Sequence, residues 1–200
     1  MNDSLENFLT DSGEFILDSL VDNEVVKEIP VIGTSINIIK GVKSIRDKIY
    51  LNKVKTFIDK LGSINEAQKE RLIHESKRDQ NRRVKFGEAL YTSIEHSESM
   101  VKIEYLAVAF EAFLNADIDN GELRLICHAI KSSFSDELMD IIENDNYSSD
   151  LKFLVPSGLA EAIYIGVVSH GTQQGPGYKL TSIAVNLREA WKKYGEKRSN

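Results

Sequence analysis

Two hundred residues, 42% hydrophobic and 28% charged, suffice for one large domain or two small ones with a real core, and they exclude a disordered chain. The net charge of −6 hides a segregation: residues 40–85 carry 14 Lys and Arg against 6 Asp and Glu, between two acidic flanks. A basic middle of this kind implies internal charge pairing or a local anionic partner. A single cysteine, Cys127, rules out an intrachain disulfide and fits a reducing compartment.

The start, MNDSLENFLTDSGEF, is acidic where a signal peptide needs a basic region, so a cytoplasmic location is expected. Asp3 or Ser4 caps a first predicted helix over about 4–20, and a short one covers Asn23–Lys27. Pro30 breaks the pattern. Thr34 or Ser35 then caps a long predicted helix to about Leu61. Its stripe Ile38, Val42, Ile45 and Ile49 continues as Leu51, Val54, Ile58 and Leu61 after a phase shift.

Gly62 stops that helix, and Ser63 with Glu66 reads as a capping box for the next, which runs to about Ser76. The run Lys77–Lys85, KRDQNRRVK, reads as a basic helix start or a mobile connector. Ser97 or Ser99 opens a helix with core face Ile103, Leu106, Phe110 and Phe113. Asn120 opens another with Leu123, Ile126, Cys127 and Ile130, and Ser135 caps a short one with Leu138, Ile141 and Ile142. Asn144–Asp150 is a polar loop. Ala162–Ser169 is the best strand, His170–Gly177 a turn-rich loop, and Tyr178–Leu180 a short returning strand. Thr181 caps the last helix, which carries Ile183, Leu187 and Trp191. The expected fold is mainly α: a helical bundle with long N-terminal amphipathic helices and a winged-helix-like β-hairpin near the C-terminus. Residues 1–61 form one module and 63–200 a second.

Catalytic and metal motifs are missing from this pattern. The four histidines are far apart in sequence, and none pairs with Cys127 at ligand spacing. GTQQGPG lacks the Gly-Lys-Ser/Thr ending of a phosphate loop. No enzyme, metal or cofactor is expected. The basic cluster Lys77, Arg78, Arg82, Arg83 and Lys85 is the anion-binding candidate, for an oligonucleotide or another anionic ligand.

Ile29–Ile45 is among the least polar stretches, and no apolar run reaches the ~20 residues of a membrane-spanning helix. Small residues at Gly33, Ser35, Gly41 and Ser44 allow close helix approach, and Lys40, Lys43 and Arg46 suit head groups. The membrane or oligomerisation candidates are therefore Ile29, Pro30, Ile32, Gly33, Ile36, Ile39, Gly41, Val42, Ile45 and Ile49. The competing reading is a buried helix of a soluble bundle.

The segment Glu28–Leu61, with Ile-Pro-x-x-Gly before a basic helix and a Lys53, Phe57, Leu61 ending, resembles a family of small bacterial helical proteins. Glu122–Ile130 and Tyr178–Thr181 share the likeness. The resemblance implies a role in anti-phage defence, as a membrane-acting effector restrained by a partner protein encoded nearby. The leading expectation is a non-enzymatic homo-oligomeric effector at the inner membrane. The alternative is a soluble adaptor or nucleic-acid-responsive module.

Overall fold

The computed structural model describes residues 15–29, 32–33, 36, 44–78, 80–147, 149–163 and 176–196. Helix α1 covers 15–21, and α2, Glu24–Glu28, follows a cap in which Asn23 Oδ1 accepts from the amides of Val25 (2.9 Å) and Val26 (3.2 Å). Helix α3 spans Ile45–Leu61 and begins at Ser44, whose hydroxyl accepts from the Asp47 amide at 3.1 Å. The expected caps Thr34 and Ser35 lie outside the described residues. Gly62, at φ +70°, closes α3 in a backbone conformation that glycine adopts without strain.

The next cap differs from the expected Ser63–Glu66 box. Helix α4, Glu66–Arg78, is closed by Asn65 and Gln68, each side chain accepting from the other's amide (3.0 and 2.8 Å). Both pairs have box spacing, and tertiary packing decides between them. Gln68 is buried and donates from Nε2 to Asn115 Oδ1 at 3.2 Å, a contact that only the register starting at Asn65 provides.

Helices α5 (Gln80–His96), α6 (Met100–Leu114), α7 (Asn120–Ser132) and α8 (Ser135–Glu143) follow. The backbone of the basic run is helical at 77–78, the end of α4, and at 80–85, the start of α5, so only its second part is the expected basic helix start. Ser99 caps α6, and a reciprocal Asp119–Glu122 box caps α7 one residue ahead of the expected Asn120. Ser135 does not cap α8; its hydroxyl donates instead to Ser99 Oγ at 2.9 Å.

A 3₁₀ turn, Leu151–Leu154, leads into strand β1, Ala160–Ile163, which pairs antiparallel with β2, Gly177–Leu180, from Ala160 opposite Leu180 to Ile163 opposite Gly177. The expected strand residues 164–169 and most of the loop after them lie outside the described set. Thr181 caps α9, Ser182–Ala190, and a π-type turn, Trp191–Gly195, follows.

Helix α6 is the centre. It is apolar on almost every side, as a helix surrounded by others must be. Phe57 of α3 packs on Phe110 (ring centroids 5.7 Å apart), Phe110 on Phe113 (5.9 Å), and Trp191 edge-on to Tyr105 (4.9 Å). One hydrophobic cluster runs from Leu17 to Trp191.

The C-terminal turn is fastened to the α6–α7 connection. Asp117 accepts from Lys193 Nζ at 2.7 and 2.8 Å and from the Tyr194 hydroxyl at 2.5 Å. Partial burial pushes the Asp117 carboxyl up, but these donors and the Lys193 charge more than reverse that, holding it below the usual carboxylate range. A carboxyl depressed in the folded state stabilises above its unfolded pKa, about 4, and that contribution disappears as pH falls through the folded value. Asp117→Asn is therefore expected to lower stability in urea denaturation at pH 7, with a gap to wild type that narrows on acidification to pH 3. A gap independent of pH would contradict the assignment.

Candidate functional site

The predicted membrane and oligomerisation residues divide between core and surface. Ile29, Ile32 and Ile36 are at most 1% exposed, in the same cluster as α6. Gly33 is half-buried where a Cβ would come within 2.9 Å of the Val26 carbonyl oxygen, so its small size serves packing within this chain. Ile45 and Ile49 lie on the outside of α3, 67% and 49% exposed. Pro30, Ile39, Gly41 and Val42 lie outside the described residues. The phase shift in the α3 pattern thus marks a change of face: Leu51, Val54, Ile58 and Leu61 turn inward, and Ile45 and Ile49 do not. Among the described residues no helix is long and apolar enough to cross a membrane.

Of the predicted anion-binding cluster, Lys77 is exposed near the end of α4. Arg78 ends α4, and Arg82, Arg83 and Lys85 stand on the first turns of α5, with side chains outside the described set. Much of the basic middle is internally paired. Arg46 reaches Glu95 at 2.9 Å, Lys53 donates to the Glu95 carbonyl at 2.7 Å, Lys55 pairs with Asp59 at 2.5 Å, and Lys60 pairs with Glu104. Arg71 donates to the carbonyls of Phe113 (2.6 Å) and Ile118 (3.3 Å) and lies over the Phe113 ring. Of the two sources offered for the basic middle, internal charge pairing accounts for Arg46, Lys55 and Lys60, and backbone carbonyls hold Lys53 and Arg71.

A different surface stands open. Helices α5 and α7 pack closely where Ser93 Oγ donates to the Cys127 carbonyl at 3.1 Å, and they diverge outward into a cleft of about 630 Å³. Glu88, Ala89 and Thr92 form its α5 wall; Gly121, Arg124, Leu125, His128 and Lys131 form its α7 wall. Helix α7 is strongly two-faced: Leu123, Ile126, Cys127 and Ile130 are buried, and the opposite face carries the cleft. Arg124, His128 and Lys131 are spaced by four and three residues, so they form one stripe. Among the described residues none of the three side chains has a carboxylate within ion-pairing distance. Positions 82 and 85 lie seven and four residues before Ala89, on the same side of the α5 backbone.

The cleft supplies binding chemistry. It holds the cations Arg124 and Lys131 at fixed helical spacing, a carboxylate on Glu88, a hydroxyl on Thr92 and two apolar wall residues, Ala89 and Leu125. Cys127 lies behind the wall, fully buried; burial pushes its thiol up to about 12 against the weaker opposing hydrogen bond with Ser93, so almost no thiolate exists at neutral pH. Among the described residues no three His, Cys, Asp or Glu side chains are placed to hold a metal ion. Sequence reasoning used α7 only for its core face. The signal it passed over was the i, i+4, i+7 spacing of Arg124, His128 and Lys131 on the polar face.

A family model described as PaRep2b protein matches residues 16–172. It covers Glu28–Leu61 and Glu122–Ile130, two of the three segments that carried the bacterial-family likeness, and not Tyr178–Thr181; it bears neither on the Ile-Pro-x-x-Gly element nor on anti-phage defence. No curated protein matches the chain, and no solved structure does.

Proposed function

We propose that this chain, which belongs to the PaRep2b protein family, is a non-enzymatic binding module that takes an anionic partner in the α5–α7 cleft. The observation that carries the reading is the Arg124, His128 and Lys131 stripe, open in a structure where Arg46, Lys60, Arg188 and Lys193 are each held by a carboxylate. Arg124 is exposed and Lys131 half-buried, and among the described residues neither has a carboxylate partner, so both can pair with an anion that arrives from outside.

The element order α6, α7, α8 and hairpin supports a winged-helix-like arrangement, used here as an adaptor. In such an arrangement the helix before the hairpin is the DNA-reading one, and α8 carries Asp136, Glu137 and Asp140. Those carboxylates disfavour a phosphate backbone there. The membrane-acting alternative needs Ile29, Ile32 and Ile36 to give up their close packing in the core, and that loss favours the adaptor.

Fluorescence anisotropy with labelled polyglutamate tests the cleft. Binding is expected at low ionic strength and weakens as salt rises. Arg124→Ala with Lys131→Ala is expected to reduce affinity about tenfold or more, since one lost charge-assisted contact costs ~1.5 kcal/mol. Equal binding by wild type and the double variant would count against the cleft.

A second reading concerns self-association, favoured by the outward-facing Ile45 and Ile49. Two copies packed through this α3 face form a homo-oligomer without disturbing the core. Sedimentation velocity is expected to show concentration-dependent assembly that Ile45→Asp with Ile49→Asp abolishes; a monomer at all concentrations would remove this reading.

A further inference from the structure

We propose that the partner is a polypeptide segment that combines carboxylates with a bulky apolar side chain, seated across the exposed face of α7 from the α5–α7 cleft to the turn before the hairpin. The proposal rests on the cleft reading above and extends it. A second cavity, of about 190 Å³, opens on the other side of α7, lined by Val155, Pro156, Ser157, Gly158 and Ile183. It shares Leu125 and His128 with the first. The two adjoin across the exposed face of α7, one cationic at Arg124 and Lys131 and the other apolar at Val155, Pro156 and Ile183, with Leu125 at the junction.

Ile183 packs partly against the core, and the rest of that apolar lining stands open. Leu125 is 55% exposed and Val155 37%. A free phosphate compound would satisfy the cations and leave this end against water. A nucleic acid fits less well. Among the described residues, no aromatic ring other than His128 lines either cavity to stack a base. A peptide supplies both halves: carboxylates reach Arg124 and Lys131, and an aliphatic or aromatic anchor covers Leu125 and enters the pocket beside Val155. The charge pattern thus selects an acidic segment, and the apolar pocket requires one bulky side chain next to the acidic residues.

The test uses the full chain as bait for a phage-displayed random dodecapeptide library. Enriched peptides are then synthesised and measured by anisotropy against wild type, Arg124→Ala, Leu125→Ser and Val155→Ser, each shown by circular dichroism to be folded. Two separate apolar variants guard against one failing to fold. The proposal expects enriched peptides that carry acidic residues and a large apolar one. Their affinity should fall about tenfold in Arg124→Ala and by a similar factor in Leu125→Ser or Val155→Ser. Enriched peptides lacking either feature, or binding that both apolar variants leave unchanged, would overturn it. If no peptide is enriched but polyglutamate or oligodeoxythymidylate binds through Arg124 alone, the peptide proposal falls and the anion cleft stands. If none of these probes binds, both fall.

Discussion

The structure depends on one constraint, the burial of α6 on nearly all sides. A helix with Ile103, Leu106, Phe110 and Phe113 on one face and Ala107, Val108, Ala109, Ala112 and Leu114 around the rest has no side to give to water. It must be enclosed, and α3, α7 and the Trp191 turn enclose it. Its polar side chains then need internal partners. Lys102 is 1% exposed, with Glu98 at 2.5 Å and the Lys131 carbonyl at 3.5 Å. The Tyr105 hydroxyl donates to Glu143 at 2.6 Å; burial, joined by that hydrogen bond, raises its pKa well above the ordinary tyrosine value. These buried polar links hold α7 and α8 in register against the central helix.

Because α7 uses one face for α6, its other face is free, and the charges on it have consequences. Elsewhere cations act as struts: Arg188 reaches the carbonyls of Ile141 and Asn144 and the Asp145 carboxylate, and Lys193 clamps Asp117. On α7 the cations stand on a helix whose buried side is fixed, which holds their spacing. Preorganised spacing of this kind favours a partner whose charges match it.

Much of this order was legible in the sequence. Periodicity located the core faces of α6, α7 and α8 because those faces consist of large apolar residues at helical spacing and nothing else competes for them. The hairpin was legible in part: Tyr178–Leu180 returns as expected, and β1 begins at Ala160, two residues before the expected strand, which it overlaps only at Ala162 and Ile163. The cap of α4 was not, since Ser63–Glu66 and Asn65–Gln68 have the same spacing and only the contact between Gln68 and Asn115 separates them. The apolar stretch Ile29–Ile45 could be read as membrane surface or as core, because hydrophobicity does not say what covers it. Packing resolves three of its residues inward, at Ile29, Ile32 and Ile36, and one outward, at Ile45, with Ile49 beyond it also outward. The α5–α7 cleft was illegible for a further reason: it is formed by two helices separated in sequence, and each of its cations alone looks like an ordinary solvated residue.

The most direct test of this account is amide chemical-shift mapping of the isotope-labelled chain during titration with polyglutamate. The account predicts that the largest shifts fall on Arg124, Leu125, His128 and Lys131, with Ala89 and Thr92 across the cleft, and that α6 stays unperturbed. Shifts centred on Lys77–Lys85 or on Ile45–Ile49, with α7 silent, would contradict it.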